Sequence, residues 1–154
     1  MRITTKGRYA LRALTNLALS DPSRPVPIKK IAADEDISPE FLEQIFFKLK
    51  KSGIISSVRG PGGGFLIARD PKEVTLRMVF EAVDEGIAIT PCTDCSDDDE
   101  GCPRQDFCIV YHVWKEASEH ILSFFDTMTL QKIVDRNADK SYAAMIEGEE
   151  FSVN

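Results

Sequence analysis

Histidine is scarce in this chain: His112 and His120 are the only two in 154 residues. Cysteine is absent outside one short stretch, because Cys92, Cys95, Cys102 and Cys108 all fall within 92–108. No apolar run approaches the roughly 20 residues that a bilayer-spanning helix requires. Each absence excludes a class of function. Two histidines, with no nucleophile and base at a workable spacing, leave little material for acid–base or covalent catalysis, so the chain does not read as an enzyme. The opening "MRITTKGRYALRAL" has helical periodicity and no small-residue cleavage site. Together with the missing apolar run, this predicts a cytosolic protein with no membrane association.

What is present is an ordinary globular composition with an uneven charge. Hydrophobic residues make up 43% and charged residues 29%, enough apolar material for one domain with an appendage. The net charge of −6 conceals two halves. Residues 1–70 carry 12 Lys and Arg against 7 Asp and Glu, whereas residues 71–154 carry 7 against 18. A basic module on an acidic protein suits a polyanionic partner, although a solvated helix face would have the same composition.

Helical spacing of Tyr9, Ala10, Leu11, Leu14, Leu17 and Leu19 predicts a first helix over 4–19, stopped by "SDPSRP". "IKKIAADED" predicts a short helix with Ile28, Ile31 and Ala32 inward. "ISPEFLEQIFFKLKKSG" then carries both ends of a third: Ser38 as cap, Pro39 at the first helical position, lysines in the last turn and Gly53 beyond it. Two strand-like runs, "IISSVR" and "GFLIAR", flank "GPGG". Three helices followed by a hairpin is the order of a winged helix-turn-helix, which places a mainly α DNA-binding domain at 1–85 with its wing at 54–69.

The glycines of "RGPGGGFLIARD" allow positive φ and close backbone approach, so a wing tip could carry Arg59 to phosphates or into a narrow minor groove. A flexible hairpin is the plainer alternative. The run lacks the Gly-Lys-Ser/Thr ending and immediate helix of a phosphate-binding loop. Thr75 can cap a helix with Leu76, Val79, Phe80 and Val83 as its buried stripe. From Asp106, "DFCIVYHVWKEASEHILSFFDTM" predicts a long helix whose apolar surface exceeds what a small domain can cover, and pairing with a second copy would bury it. Thr129 caps a short following helix, so 107–136 is expected to be the dimerisation segment, and the polar residues 137–154 a disordered tail.

The segment 86–108 reads as a loop holding the four cysteines, separated by two, six and five residues. A disulfide framework is out of place in a reducing compartment. Four thiolates would satisfy structural zinc, but only the first pair has the C-x-x-C spacing of a zinc knuckle. An iron–sulfur cluster is satisfied by the same ligands, at times with a histidine on one iron. His112 follows Cys108 by four residues, which on a continuous helix would put both on one face.

"MRITTKGRYALRAL", "FLEQIF", "SSVRGPGGGFLIARD" and "AVDE", followed by the cysteine loop and a C-x5-W spacing, closely resemble the iron–sulfur cluster regulators of the Rrf-two family of bacterial transcription factors, over residues 1–135. The resemblance implies a homodimeric, cytoplasmic repressor or activator whose cluster controls its binding to a double-stranded DNA operator. It places Glu40, Glu43 and Gln44 near base edges, Arg59 with Gly60 at the minor groove, and Lys6 and Tyr9 on phosphates. It assigns Cys92, Cys102 and Cys108 as ligands of a [2Fe-2S] cluster. The family's histidine ligand lies three residues after the last cysteine, where this chain has Tyr111. The fourth ligand is then Cys95 or His112, and the signal is cluster supply, an oxidant or nitric oxide.

Overall fold

In the computed structural model, which describes residues 3–87, 89–93 and 102–138, helix α1 (Thr5–Leu19) is followed by α2 (Ile28–Glu35) and α3 (Pro39–Lys51). The third helix starts as its sequence requires: Ser38 Oγ accepts from the Phe41 N–H at 3.2 Å, with Pro39 behind it. Gly53, just past the end, takes φ of +74°. Asp36 turns the chain between α2 and α3 in the left-handed region, and the buried Ile37 pins that turn to the core.

The core forms where these three helices converge. Leu14, Ile31, Leu42, Ile45, Phe46 and Leu49 are almost completely removed from solvent. Burying side chains of this size is worth about 1.5–3 kcal/mol each. Leu19, expected on the inner face of α1, is instead 49% exposed, and Ala13 takes a core position. The stripe drifts because 3.6 residues per turn carries Leu19 beyond the face defined by Ala10, Leu14 and Leu17.

Strands β1 (Ile55–Val58) and β2 (Gly64–Ile67) pair antiparallel, Ile55 opposite Ile67 and Val58 opposite Gly64. Val26 bonds to Phe65 through both backbone groups, at 3.0 and 2.9 Å, and so fastens the hairpin to the loop after α1. Phe65 meets Phe46 edge to face, with ring centroids 4.9 Å apart. This is the winged-helix architecture, mainly helical with a two-stranded wing.

Helix α4 (Leu76–Ala82) is capped by Thr75, whose hydroxyl accepts from the Met78 N–H at 3.2 Å. Leu76, Val79, Phe80 and Val83 are buried, as their spacing predicts. The helix ends at Ala82, one residue before the last member of that stripe, and Asp84 with φ of +53° turns the chain just beyond it. A 3-10 turn at Pro91–Thr93 precedes the long α5 (Ile109–Thr127) and then α6 (Leu130–Ala138). The last helix runs two residues past the expected boundary at 136; residues 139–154 of the expected tail lie outside those described. Phe125 near the end of α5 packs on Phe80, and Leu76 and Leu130 exchange backbone bonds with Met128 and Val74. Only the C-terminal end of α5 is therefore held by the core.

Candidate nucleic-acid interface and cysteine segment

Helix α3 buries Leu42, Ile45, Phe46 and Leu49, which forces the opposite face outward. Glu40, Glu43, Gln44 and Phe47 lie along that outer face at helical spacing, and all four are exposed. Phe47, 70% exposed, was not anticipated as part of the face, although its position seven residues after Glu40 places it there. Lys48, Lys50 and Lys51 follow in the last turn.

Arg59 and Gly60 sit exposed at the wing tip. The glycines divide by purpose. Gly60 and Gly62 have φ of +96° and +76° with open space around them, so they shape the turn. Gly63 and Gly64 instead serve packing inside the protein: a β-carbon on Gly64 would lie 2.4 Å from the Val26 carbonyl, and one on Gly63 2.4 Å from the Val58 oxygen. Close backbone approach at this turn is thus partly to the protein's own loop, an outcome the local sequence could not distinguish from approach to DNA.

Lys6 and Tyr9 lie on α1, both half-buried. Tyr9 packs edge to face on Phe41 at 6.0 Å and carries the Arg12 guanidinium over its ring at 5.4 Å. Lys6 donates to the Asp84 carbonyl at 2.9 Å, and Lys48 of α3 contacts the Asp84 carboxylate at 2.5 Å. Those lysines, chiefly Lys48, hold the Asp84 carboxyl below its usual range. The corner after α4 therefore touches both helices that carry the expected DNA contacts.

Cys92, Cys102 and Cys108 are free thiols, each partly buried. Cys95 lies outside the described residues. Thr90 Oγ1 is 3.1 Å from Cys92 Sγ, and Thr93 Oγ1 is 3.2 Å from the buried Ser118 Oγ, which attaches the 3-10 turn to α5. Cys108 stands at the N-cap of α5 in extended conformation rather than inside the helix. Cys108 therefore immediately precedes the helix that carries His112, and the two do not share one continuous helix as expected. His112 is exposed, with its ring 5.6 Å from that of Tyr111. No group of three His, Cys, Asp or Glu side chains among the described residues is gathered to hold an ion. In its chemistry, a set of three unpaired thiols fits a thiolate-bound metal centre.

The Rrf2 family profile, described as "Iron-dependent Transcriptional regulator", matches residues 3–136. The chain belongs to the Rrf2 family. Curated Rrf2-type relatives agree: it is 41% identical over 135 residues to the HTH-type transcriptional regulator IscR of Serratia proteamaculans, covering 88% of this chain and 80% of that one. The IscR of Xenorhabdus nematophila is 42% identical over 134 residues, covering 87% and 79%. Among solved structures, the global cysteine regulator CymR of B. subtilis superposes with a TM-score of 0.70 at 25% identity, covering 88% of this chain and 97% of that one. T. potens IscR superposes with a TM-score of 0.69 at 26% identity, covering 100% and 93%. This Rrf2 protein is accordingly an IscR-like, DNA-binding transcriptional regulator and not an enzyme. No described helix is long and apolar enough to cross a membrane.

Proposed function

We propose that this Rrf2 regulator binds its operator as a homodimer in the cytoplasm. We further propose that its affinity is set by a [2Fe-2S] cluster held by Cys92, Cys102 and Cys108, with Cys95 or His112 as the fourth ligand. The observation that carries the reading is the position of three free, partly buried cysteines on the segment that joins the DNA-binding half to α5. The relatives' family description, iron-dependent, supports it.

On DNA, Glu40, Glu43 and Gln44 would face base edges in the major groove. Carboxylates there accept from cytosine N4, and the Gln44 amide can serve adenine as both donor and acceptor. Arg59, carried by the turn at Gly60, would enter the minor groove, where a cation is favoured when the groove is narrow. Lys6 and Tyr9 would contact phosphates and hold the register without reading sequence. When bound, the cluster supplies iron–thiolate bonds that oxidants or nitric oxide can break. The protein's part is to connect the cysteines to α5 through Thr93 and Ser118 and to the DNA-binding helices through the corner at Asp84 and Glu85.

Tetrahedral zinc is the second reading, since the same thiolates would satisfy it. Protein purified without oxygen decides between them. A brown preparation with visible absorption bands and matching iron and sulfide supports the cluster; a colourless one with stoichiometric zinc overturns it. Cluster retention in Cys95→Ala and His112→Ala then assigns the fourth ligand, and retention in both removes both candidates.

A further inference from the structure

Helix α1 begins without a cap of its own. Thr4 is its N-cap but makes no side-chain bond to the helix, and the first turn holds no acidic residue. The four N–H groups of a helix start need partners. Here a residue far away in sequence accepts from one of them, the Gly7 N–H, and from both donors of the N-cap residue Thr4. Glu85 Oε1 accepts from the Thr4 N–H at 2.8 Å, and Oε2 accepts from the Thr4 hydroxyl at 2.5 Å and the Gly7 N–H at 3.0 Å. Glu85 is only 6% exposed, and the approach is so close that a β-carbon on Gly7 would lie 2.7 Å from Oε2.

The same corner grips the neighbouring cations. Asp84, in the left-handed region, turns its carbonyl to Lys6 and its carboxylate to Lys48. Gly86 follows at once and opens the connection to Cys92. At its far end that connection is fastened by the contact of Thr93 with Ser118 on α5. A buried carboxylate with three donors cannot release them singly without leaving unsatisfied groups, so the corner and the first turn of α1 move as one piece.

We propose that Glu85 is a positioning residue for DNA binding: it fixes the first turn of α1, and with it Lys6, at the place set by the connection from Gly86 to Cys92. Displacement of that connection is thereby passed to the phosphate-facing end of α1. The half of this statement that concerns the cysteines rests on the cluster reading above; the half that concerns Lys6 rests only on the proposed phosphate contact of Lys6.

The test is operator binding as a function of salt, in cluster-loaded and cluster-free protein, for wild type, Glu85→Gln and Thr4→Val, each with its melting curve. Glu85→Gln is expected to bind at least about tenfold more weakly, with a salt slope shallower by about one because one phosphate contact is lost. Its ratio of loaded to cluster-free affinity should fall toward one. Thr4→Val, at an exposed position, should act in the same direction but less. A merely structural role would lower the melting temperature and leave slope and ratio unchanged. Folded variants that keep both wild-type values overturn the proposal, and if Glu85→Gln does not fold, Thr4→Val decides on the same criteria. If wild type itself binds equally well with and without the cluster, the cluster reading fails, and the salt slope alone judges Glu85.

Discussion

Gly7 and Glu85 are in direct contact: the Gly7 N–H donates to Oε2 at 3.0 Å, and the space a side chain at Gly7 would need is filled by that carboxylate. On propensity alone, Gly7→Ala should stabilise α1 by about 1 kcal/mol. The contact reverses the sign. Displacing Glu85 leaves a buried carboxylate and helix-start donors unmatched, at about 1–3 kcal/mol. Gly7→Ala is expected to lower the melting temperature, and a rise would refute the contact.

Acid should weaken the same contact. Burial pushes the Glu85 carboxyl up, but the hydrogen bonds from Thr4 and Gly7 and the charge of Lys6 outweigh it and hold it below the usual range. A carboxyl depressed in the folded state stabilises the protein above its unfolded pKa, about 4.3. That contribution is lost as pH falls through the folded value. The stability difference between wild type and Glu85→Gln should be largest at neutral pH and shrink below about pH 4. A difference in denaturant midpoint that is constant with pH would contradict this.

Arg59→Ala should weaken operator binding and reduce the salt slope, with no change in melting temperature because the side chain is exposed on the wing. Glu43→Ala should act differently, altering preference among operator sequences while leaving the slope near the wild-type value. Binding isotherms on a panel of sites at several salt concentrations separate the two. Equal effects from both substitutions would dissolve the division between groove-reading and phosphate-facing residues.

The N-terminal part of α5 leaves Phe107 89% and Ile109 86% exposed just before and at its start, with Val110, Val113 and Trp114 also exposed along it. Apolar surface of this extent favours a partner, and a second copy would supply a matching helix. Val113→Glu with Trp114→Glu should convert a dimer to a monomer in sedimentation analysis and weaken operator binding. The core of the domain, which these residues do not enter, should be unaffected. A dimer that survives both charges must be held elsewhere.

Much of the fold was legible because its signals are local. Ser38 with Pro39, Thr75 and Thr129 each cap the helix their sequence announces, and in each the donor is only three residues away. The outer face of α3 followed from the same rule: once Leu42, Ile45, Phe46 and Leu49 turn inward, Glu40, Glu43 and Gln44 have only that face left. The grouping of the cysteines was equally plain in the sequence, whereas the start of α5 was not: it begins at Ile109, which leaves Cys108 at its N-cap rather than on one helix with His112.

By itself, then, the sequence determined the helices, the wing, the basic module and the grouping of the cysteines, since caps, periodicity and residue type all act over a few residues. Tertiary structure alone decided that α1 is capped by Glu85, that Gly64 makes room for Val26, and that Asp84 takes hold of Lys6 and Lys48. Each joins residues at least 36 positions apart, where no local pattern carries a signal and only packing brings donor and acceptor together.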